Sequence, residues 1–160
     1  MYPWERVIPS QDSTLRIIHE AVKRGHEVSI THPSNLTIRE SITLSLCKQI
    51  TLGGKLTSSI TSFYKMVKFD TKMCPLSEFD VIFMRDNPPL DGLVLNFLDS
   101  IKDDVFIMNA IDGLREANNK IYTAAYFDPE RELIPATHVS KNIDYLLRII
   151  EESENDKMIM

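Results

Sequence analysis

Phe79–Asp91, FDVIFMRDNPPLD, decides how the rest of the chain is read. Val81-Ile82-Phe83-Met84 is an unbroken apolar run, partly β-branched. Such a run suits a strand buried on both faces, as in a parallel sheet flanked by helices. It stops at Arg85-Asp86-Asn87, and Pro88-Pro89 forbids continuation because proline has no N–H to give a strand ladder. A charged loop is thereby expected at the carboxyl end of a core strand, the edge at which open α/β sheets bind ligands. Arg85 and Asp86 can equally serve to solvate a strand exit, a common duty of such loops.

Outward towards the C-terminus the signals sharpen. Asp91 can cap a helix whose Leu93, Val94, Phe97, Leu98 and Ile101 form one stripe. Lys102-Asp103-Asp104 ends it, and Val105–Met108 reads as the next buried strand, closed by Asn109. Strand, helix and strand in so short a span predict a right-handed βαβ unit with parallel strands. Asn109 would then leave the sheet at the same edge as Arg85. Asp112-Gly113 precedes LREANNKIYTAAYF, a helical stretch holding Lys120 beside Asn118 and Asn119. A lone helical lysine is ordinarily a solvated surface charge. Pro129 and Pro135 bracket a linker, and Thr137–Ser140 predicts a short strand. Ile143, Leu146, Leu147 and Ile150 then line one helix face, followed by an acidic turn at Glu151, Glu152, Glu154 and Asp156. Met158-Ile159-Met160 resembles the start of another strand. Composition and linker together suggest a boundary near residues 122–135.

Outward towards the N-terminus, Asp12-Ser13-Thr14 is a run of good N-cap residues. Leu15, Ile18, Ala21 and Val22 follow at helical spacing, Lys23-Arg24 suit a helix C-terminus, and Gly25 is a natural residue to end it. A helix over 13–24 is expected, with a strand over Val28–Thr31; His26 reads as a turn residue rather than a catalytic one. Leu36–Arg39 and Ile42–Leu52 predict a hairpin around Glu40-Ser41. In the second arm Ile42, Leu44 and Leu46 alternate with Thr43, Ser45 and Cys47, the pattern of a half-exposed strand. After Gly53-Gly54, residues 55–63 are Ser/Thr-rich and read as a mobile loop, and Phe63–Phe69 reads as an edge strand.

The 160 residues, 43% hydrophobic, suffice for one domain or one domain plus part of another. A net charge of −5 argues against a general nucleic-acid binder, which needs a basic face. No apolar run approaches the roughly 20 residues that span a bilayer. The opening MYPWERVIPS has no apolar signal core, so the protein is read as not exported. Cys47 and Cys74 have no CxxC or metal-spaced partner and point to a reducing, cytoplasmic setting. His19, His26, His32 and His138 form no HxxxH or HxH pair, so no zinc site is expected.

Together these residues carry a resemblance. Asp12-Ser13-Thr14, EAVKRGHEV at 20–28, FDVIFMRDNPPLD at 79–91, NAIDGLREANNKIYTA at 109–124 and IPATHVS at 134–140 resemble the bacterial-type glutathione synthetases of the ATP-grasp superfamily. The likeness covers most of the chain, is weakest at 35–75, and rests on the MRxxPP and LRxANxK runs together. It implies a Rossmann-like, pre-ATP-grasp α/β domain over 1–120. That domain would have a parallel-centred sheet, flanking helices and a β-hairpin insertion, with the beginning of an ATP-grasp domain at 121–160. It also implies the ATP- and magnesium-dependent joining of γ-glutamylcysteine to glycine through an acyl phosphate. Two anions must approach each other in that chemistry, so cations must neutralise the site. By the resemblance Lys120 contacts nucleotide phosphates and Arg85 faces the substrate cleft, its fork suited to a carboxylate or phosphate. Ser13, at a helix N-terminus, offers hydroxyl and N–H groups to an anionic substrate.

No catalytic residue and no metal ligand is assigned within the chain. The sequence also departs from the family. Met1-Tyr2-Pro3-Trp4 begins where the family has already placed a first apolar strand, and Tyr2 stands at a usual aspartate. The second phosphate-binding lysine, glycine-rich flap, magnesium ligands and glycine site lie beyond Met160 in the family. The reading is therefore an N-terminal part of a ligase, inactive alone and binding ATP weakly or not at all. A non-catalytic binding or assembly module of the same descent is the alternative. The missing first strand would leave neighbours unpaired, so a homo-oligomer or a complementing chain is expected to complete the sheet.

Overall fold

A computed structural model describes residues 3–86, 89–117, 120–126, 128–130 and 132–153, with Lys120 and Thr123 described by backbone alone. The chain divides into two compact units, Met1–Arg115 and Glu116–Met160.

In the first unit, Asp12 starts helix α1 (Ser13–Lys23) by accepting a hydrogen bond from the Leu15 N–H at 2.6 Å. Leu15 and Ile18 are buried on its inner face. Gly25 follows at φ +85°, a left-handed position where a side chain would be strained. The chain then enters β1 (Ser29–Ile30). β2 (Leu36–Arg39) and β3 (Ile42–Leu52) form the expected hairpin. Glu40 and Ser41 both have positive φ, 51° and 64°, the geometry of a tight turn that matches strand twist. β4 (Val67–Pro75) lies along one edge of β3, from Val67 opposite Leu52 to Pro75 opposite Leu44. β1 and β2 share the other edge, giving a four-stranded antiparallel sheet.

The expected half-exposure of β3 holds, with its polar side turned inward. Thr43, Ser45 and Cys47 are buried, whereas Ile42 and Leu46 are exposed. Hydrogen bonds make this inversion tolerable. The Thr43 hydroxyl donates to Ser100 Oγ at 2.6 Å, since the Ser100 hydroxyl is itself given to the Phe97 carbonyl. The Ser45 and Thr31 hydroxyls share a hydrogen bond at 2.8 Å.

Two expectations for the middle of the chain are corrected. Part of the loop read over 55–63, and the start of the strand read over Phe63–Phe69, are instead helix α2 (Ile60–Met66). Ser59 caps it, accepting from the Ser62 N–H at 3.3 Å. Phe63 is completely buried, with His19 against its ring at 4.6 Å. Burying that ring beside α1 and Trp4 overrides the β-preference of an aromatic-rich segment. Trp4 stacks on Tyr64 at 5.0 Å, and the Tyr64 hydroxyl donates to the Trp4 carbonyl.

β5 (Val81–Phe83), α3 (Gly92–Asp99) and β6 (Phe106–Met108) form the expected βαβ order with parallel strands, Phe83 in register with Met108. Arg85 and Asn109 accordingly follow strands that end at the same edge. The parallel sheet has two strands and is separate from the antiparallel one, so it does not centre the domain. Nor is β5 buried on both faces. Ile82 and Ile107 face the core, but Val81, Phe83, Phe106 and Met108 are exposed on the other side. Helix α4 (Ile111–Ala117) begins before Gly113 rather than after it, and Arg115 ties it to α3 through Asn96 at 2.8 Å.

In the second unit, α5 (Lys120–Ala125) opens at Lys120. Asp128 closes a turn by accepting from the Leu133 and Ile134 N–H groups at 3.0 and 2.9 Å. The strand expected over Thr137–Ser140 forms no ladder among the described residues, and the one expected at Met158-Ile159-Met160 lies outside them. The expected last helix is α6 (Ile143–Glu151), capped by Asn142.

Candidate functional site

Arg85 leaves the parallel pair immediately after Met84, whose N–H donates to the Met108 carbonyl at 2.7 Å. That bond fixes where the arginine emerges. Its Nη2 donates to Ser13 Oγ at 2.9 Å and its Nε lies 3.4 Å from Thr14 Oγ1. Two of the three residues singled out from sequence, Arg85 and Ser13, are thus in contact although 72 positions apart. Thr14 is a further partner that sequence reasoning used only as part of a capping run.

The chemistry of this corner follows from its parts. Ser13 and Thr14 occupy the first turn of α1, where unpaired N–H groups and the helix dipole favour negative charge. A guanidinium brought to the same place adds a full positive charge and a planar fork. Arg85 and Ser13 are exposed, so an anion reaches them from solvent. The two hydroxyls carry no charge, and the acidic group next to them in sequence is the Asp12 carboxylate that caps α1.

Arg85 and Thr14 also line a cavity of about 720 Å³ within the first unit. Its walls include Ile18 of α1, Ser29 of β1, Cys47 and Cys74 of the antiparallel sheet, Phe83 of β5, and Val94 and Leu98 of α3. Burial, with Cys74 alongside, pushes the Cys47 thiol up from 9.0 to about 11. A thiol held protonated in this way is a poor nucleophile. Cys47 is a wall of the cavity rather than a reactive group.

Lys120 opens α5, but its side chain, like all of Asn118 and Asn119, lies outside the described residues. Among the described residues no group of three or more His, Cys, Asp or Glu side chains is placed to hold a metal ion. No helix among them is long and apolar enough to cross a membrane.

The first unit is a mixed α/β domain in which an exposed arginine meets the start of a helix beside a cavity. Its sequence specifies the family. The family described as "Prokaryotic glutathione synthetase, N-terminal domain" matches residues 1–115, and the chain belongs to that family. Curated relatives agree, each called glutathione synthetase. One from Gloeobacter violaceus is 27% identical over 154 residues, covering 90% of this chain and 45% of the relative. One from Synechocystis is 28% identical over 162 residues, covering 94% and 48%. One from Vibrio cholerae is 26% identical over 156 residues, covering 95% and 46%. The chain spans about half the length of the curated relatives it matches. The resemblance read from the MRxxPP and LRxANxK runs is thus borne out.

Proposed function

We propose that this chain is the substrate-side part of a glutathione synthetase-like ligase, which joins γ-glutamylcysteine to glycine with ATP through an acyl phosphate. Residues 1–120 correspond to a Rossmann-like, pre-ATP-grasp domain and 121–160 to the beginning of an ATP-grasp domain. Arg85 holds an anionic group of γ-glutamylcysteine, and Ser13 with the first turn of α1 helps orient it. Lys120 meets nucleotide phosphates, and magnesium is held by groups outside this span. The complete enzyme works in the cytoplasm. The observation that carries the reading is the hydrogen-bonded contact between Arg85 and Ser13 inside the family-matched region.

Arg85 acts in this reading as an electrostatic clamp. Bringing a carboxylate towards a phosphoryl group sets two negative charges against each other, and a cation bound to the carboxylate reduces that repulsion. A charge-assisted hydrogen bond of this kind is worth about 1.5–3 kcal/mol, roughly 10- to 100-fold in affinity. Titrating γ-glutamylcysteine into the ¹⁵N-labelled chain should shift the amides of Ser13, Thr14 and Arg85 first. Shifts confined to other parts of the chain would remove the substrate assignment. The isolated chain should release no ADP when given ATP, γ-glutamylcysteine and glycine; turnover dependent on both amino-acid substrates would contradict its reading as an incomplete ligase.

A further inference from the structure

We infer that Cys47 and Cys74 form a two-thiolate site for a soft monovalent metal ion, copper(I), with the Lys72 ammonium as its counter-charge. The inference does not rest on the substrate reading above.

Strand register brings the pair together. Cys47 of β3 lies opposite Lys72 of β4, and Cys74 lies opposite Ser45. Residues directly opposite each other share a face of the sheet, as do residues two apart along a strand. Cys47, Lys72 and Cys74 therefore project from one face, with the two cysteines on a diagonal. Both are free thiols, buried in the same apolar core. Cys74 donates to the Lys72 carbonyl at 3.8 Å, which draws its sulfur back along β4 towards the position that Cys47 faces. Burial first, and Cys74 second, keep the proton on Cys47, so the two thiols act directly on each other.

Spacing and ligand count select the occupant. Diagonal neighbours across an antiparallel pair stand about 7–8 Å apart. That is wider than the roughly 4.4–6.8 Å between the Cα atoms of a disulfide. An ion removes the mismatch, since two metal–sulfur bonds of about 2.3 Å in line span roughly 4.6 Å. Zinc needs four ligands. Among the described residues no third His, Cys, Asp or Glu joins the pair, and the Ser45 hydroxyl beside it is already bonded to Thr31 at 2.8 Å. Thiolates favour copper(I), which is stable with two sulfurs in line.

Charge supplies the last condition. Each thiol gives up its proton as its sulfur bonds the ion, leaving two negative charges against one positive. An unbalanced charge is costly in an apolar core. The Lys72 ammonium, on the same face and directly opposite Cys47, restores neutrality. Lys72 is exposed, which puts solvent, and a route for the ion, at one end of the pair.

The test is anaerobic titration of the whole chain with copper(I) held by the chromophoric chelator bicinchoninate. The chain should take one ion from the chelator, and copper X-ray absorption should show sulfur neighbours alone. Cys47→Ser and Cys74→Ser should each abolish that uptake. Lys72→Met changes an exposed position, so it should keep the unfolding midpoint while weakening copper(I) binding roughly tenfold. That variant keeps the inference testable if a cysteine variant fails to fold. No uptake by the wild-type chain, uptake that survives either cysteine replacement, or equal affinity in Lys72→Met would overturn the inference. So would nitrogen or oxygen ligands on the copper, or an ion that bridges two chains.

Discussion

The antiparallel sheet and the parallel pair solve the burial problem in opposite ways. Around β3, polar side chains are turned inward and satisfied, Thr43 on Ser100 and Ser45 on Thr31. In β5–β6 the side chains are apolar, yet Val81, Phe83, Phe106 and Met108 stay exposed. Residue type therefore does not say which face is closed. Hydrogen-bond satisfaction closes the first region, and the second is closed only where α3 and its own Ile82 and Ile107 meet the core.

The comparison can be broken most forcefully at Phe63. If the packing of α2 against α1 and Trp4 holds the antiparallel half together, Phe63→Ala should cost about 3–5 kcal/mol in urea denaturation. A loss below 1 kcal/mol would mean that α2 is not part of that core. Next comes the inward polar face: Thr43→Val keeps the shape but strips the hydroxyl that Ser100 receives, and should cost about 1 kcal/mol. A gain in stability would show the polar inversion to be unnecessary.

Cys47 sharpens the same contrast through pH. Its thiol ionises near 9.0 when unprotected and near 11 in the fold. The unfolded chain therefore loses this proton first as pH rises. The contribution of Cys47 to stability is complete below about pH 9 and disappears as pH climbs towards 11. Comparing wild type with Cys47→Ala at pH 8 and 10.5 should show the difference between them shrinking; a constant difference would mean that burial does not hold the thiol neutral. The smallest effect belongs to the parallel pair. Val81→Thr, on its open face, should change stability by no more than about 0.5 kcal/mol. A loss of several times that would reveal that this face is covered.

Local chemistry made much of this fold legible. The Asp12 and Asp91 caps, Gly25 at the helix end, the Glu40-Ser41 turn and the strand–helix–strand order each depend on neighbours in sequence. What depended on distant contacts was misread. Ile60, Phe63, Tyr64 and Val67 do have helical spacing, but aromatic and β-branched residues suit strands as well, and only the Trp4 and His19 contacts decide between them. The exposure of β5 was hidden for the same reason, since an apolar run does not record how many sides are covered. At the site, Arg85 and Ser13 were recognisable separately from residue type and resemblance. Their meeting follows from the place where β5 ends relative to α1, which no local pattern contains.

The central claim is that Arg85, set against the start of α1, holds an anionic group of γ-glutamylcysteine. Calorimetric titration of γ-glutamylcysteine onto the wild-type chain and onto Arg85→Ala tests it most directly. Affinity should fall at least tenfold in the variant while its unfolding midpoint is unchanged; equal affinities would contradict the account.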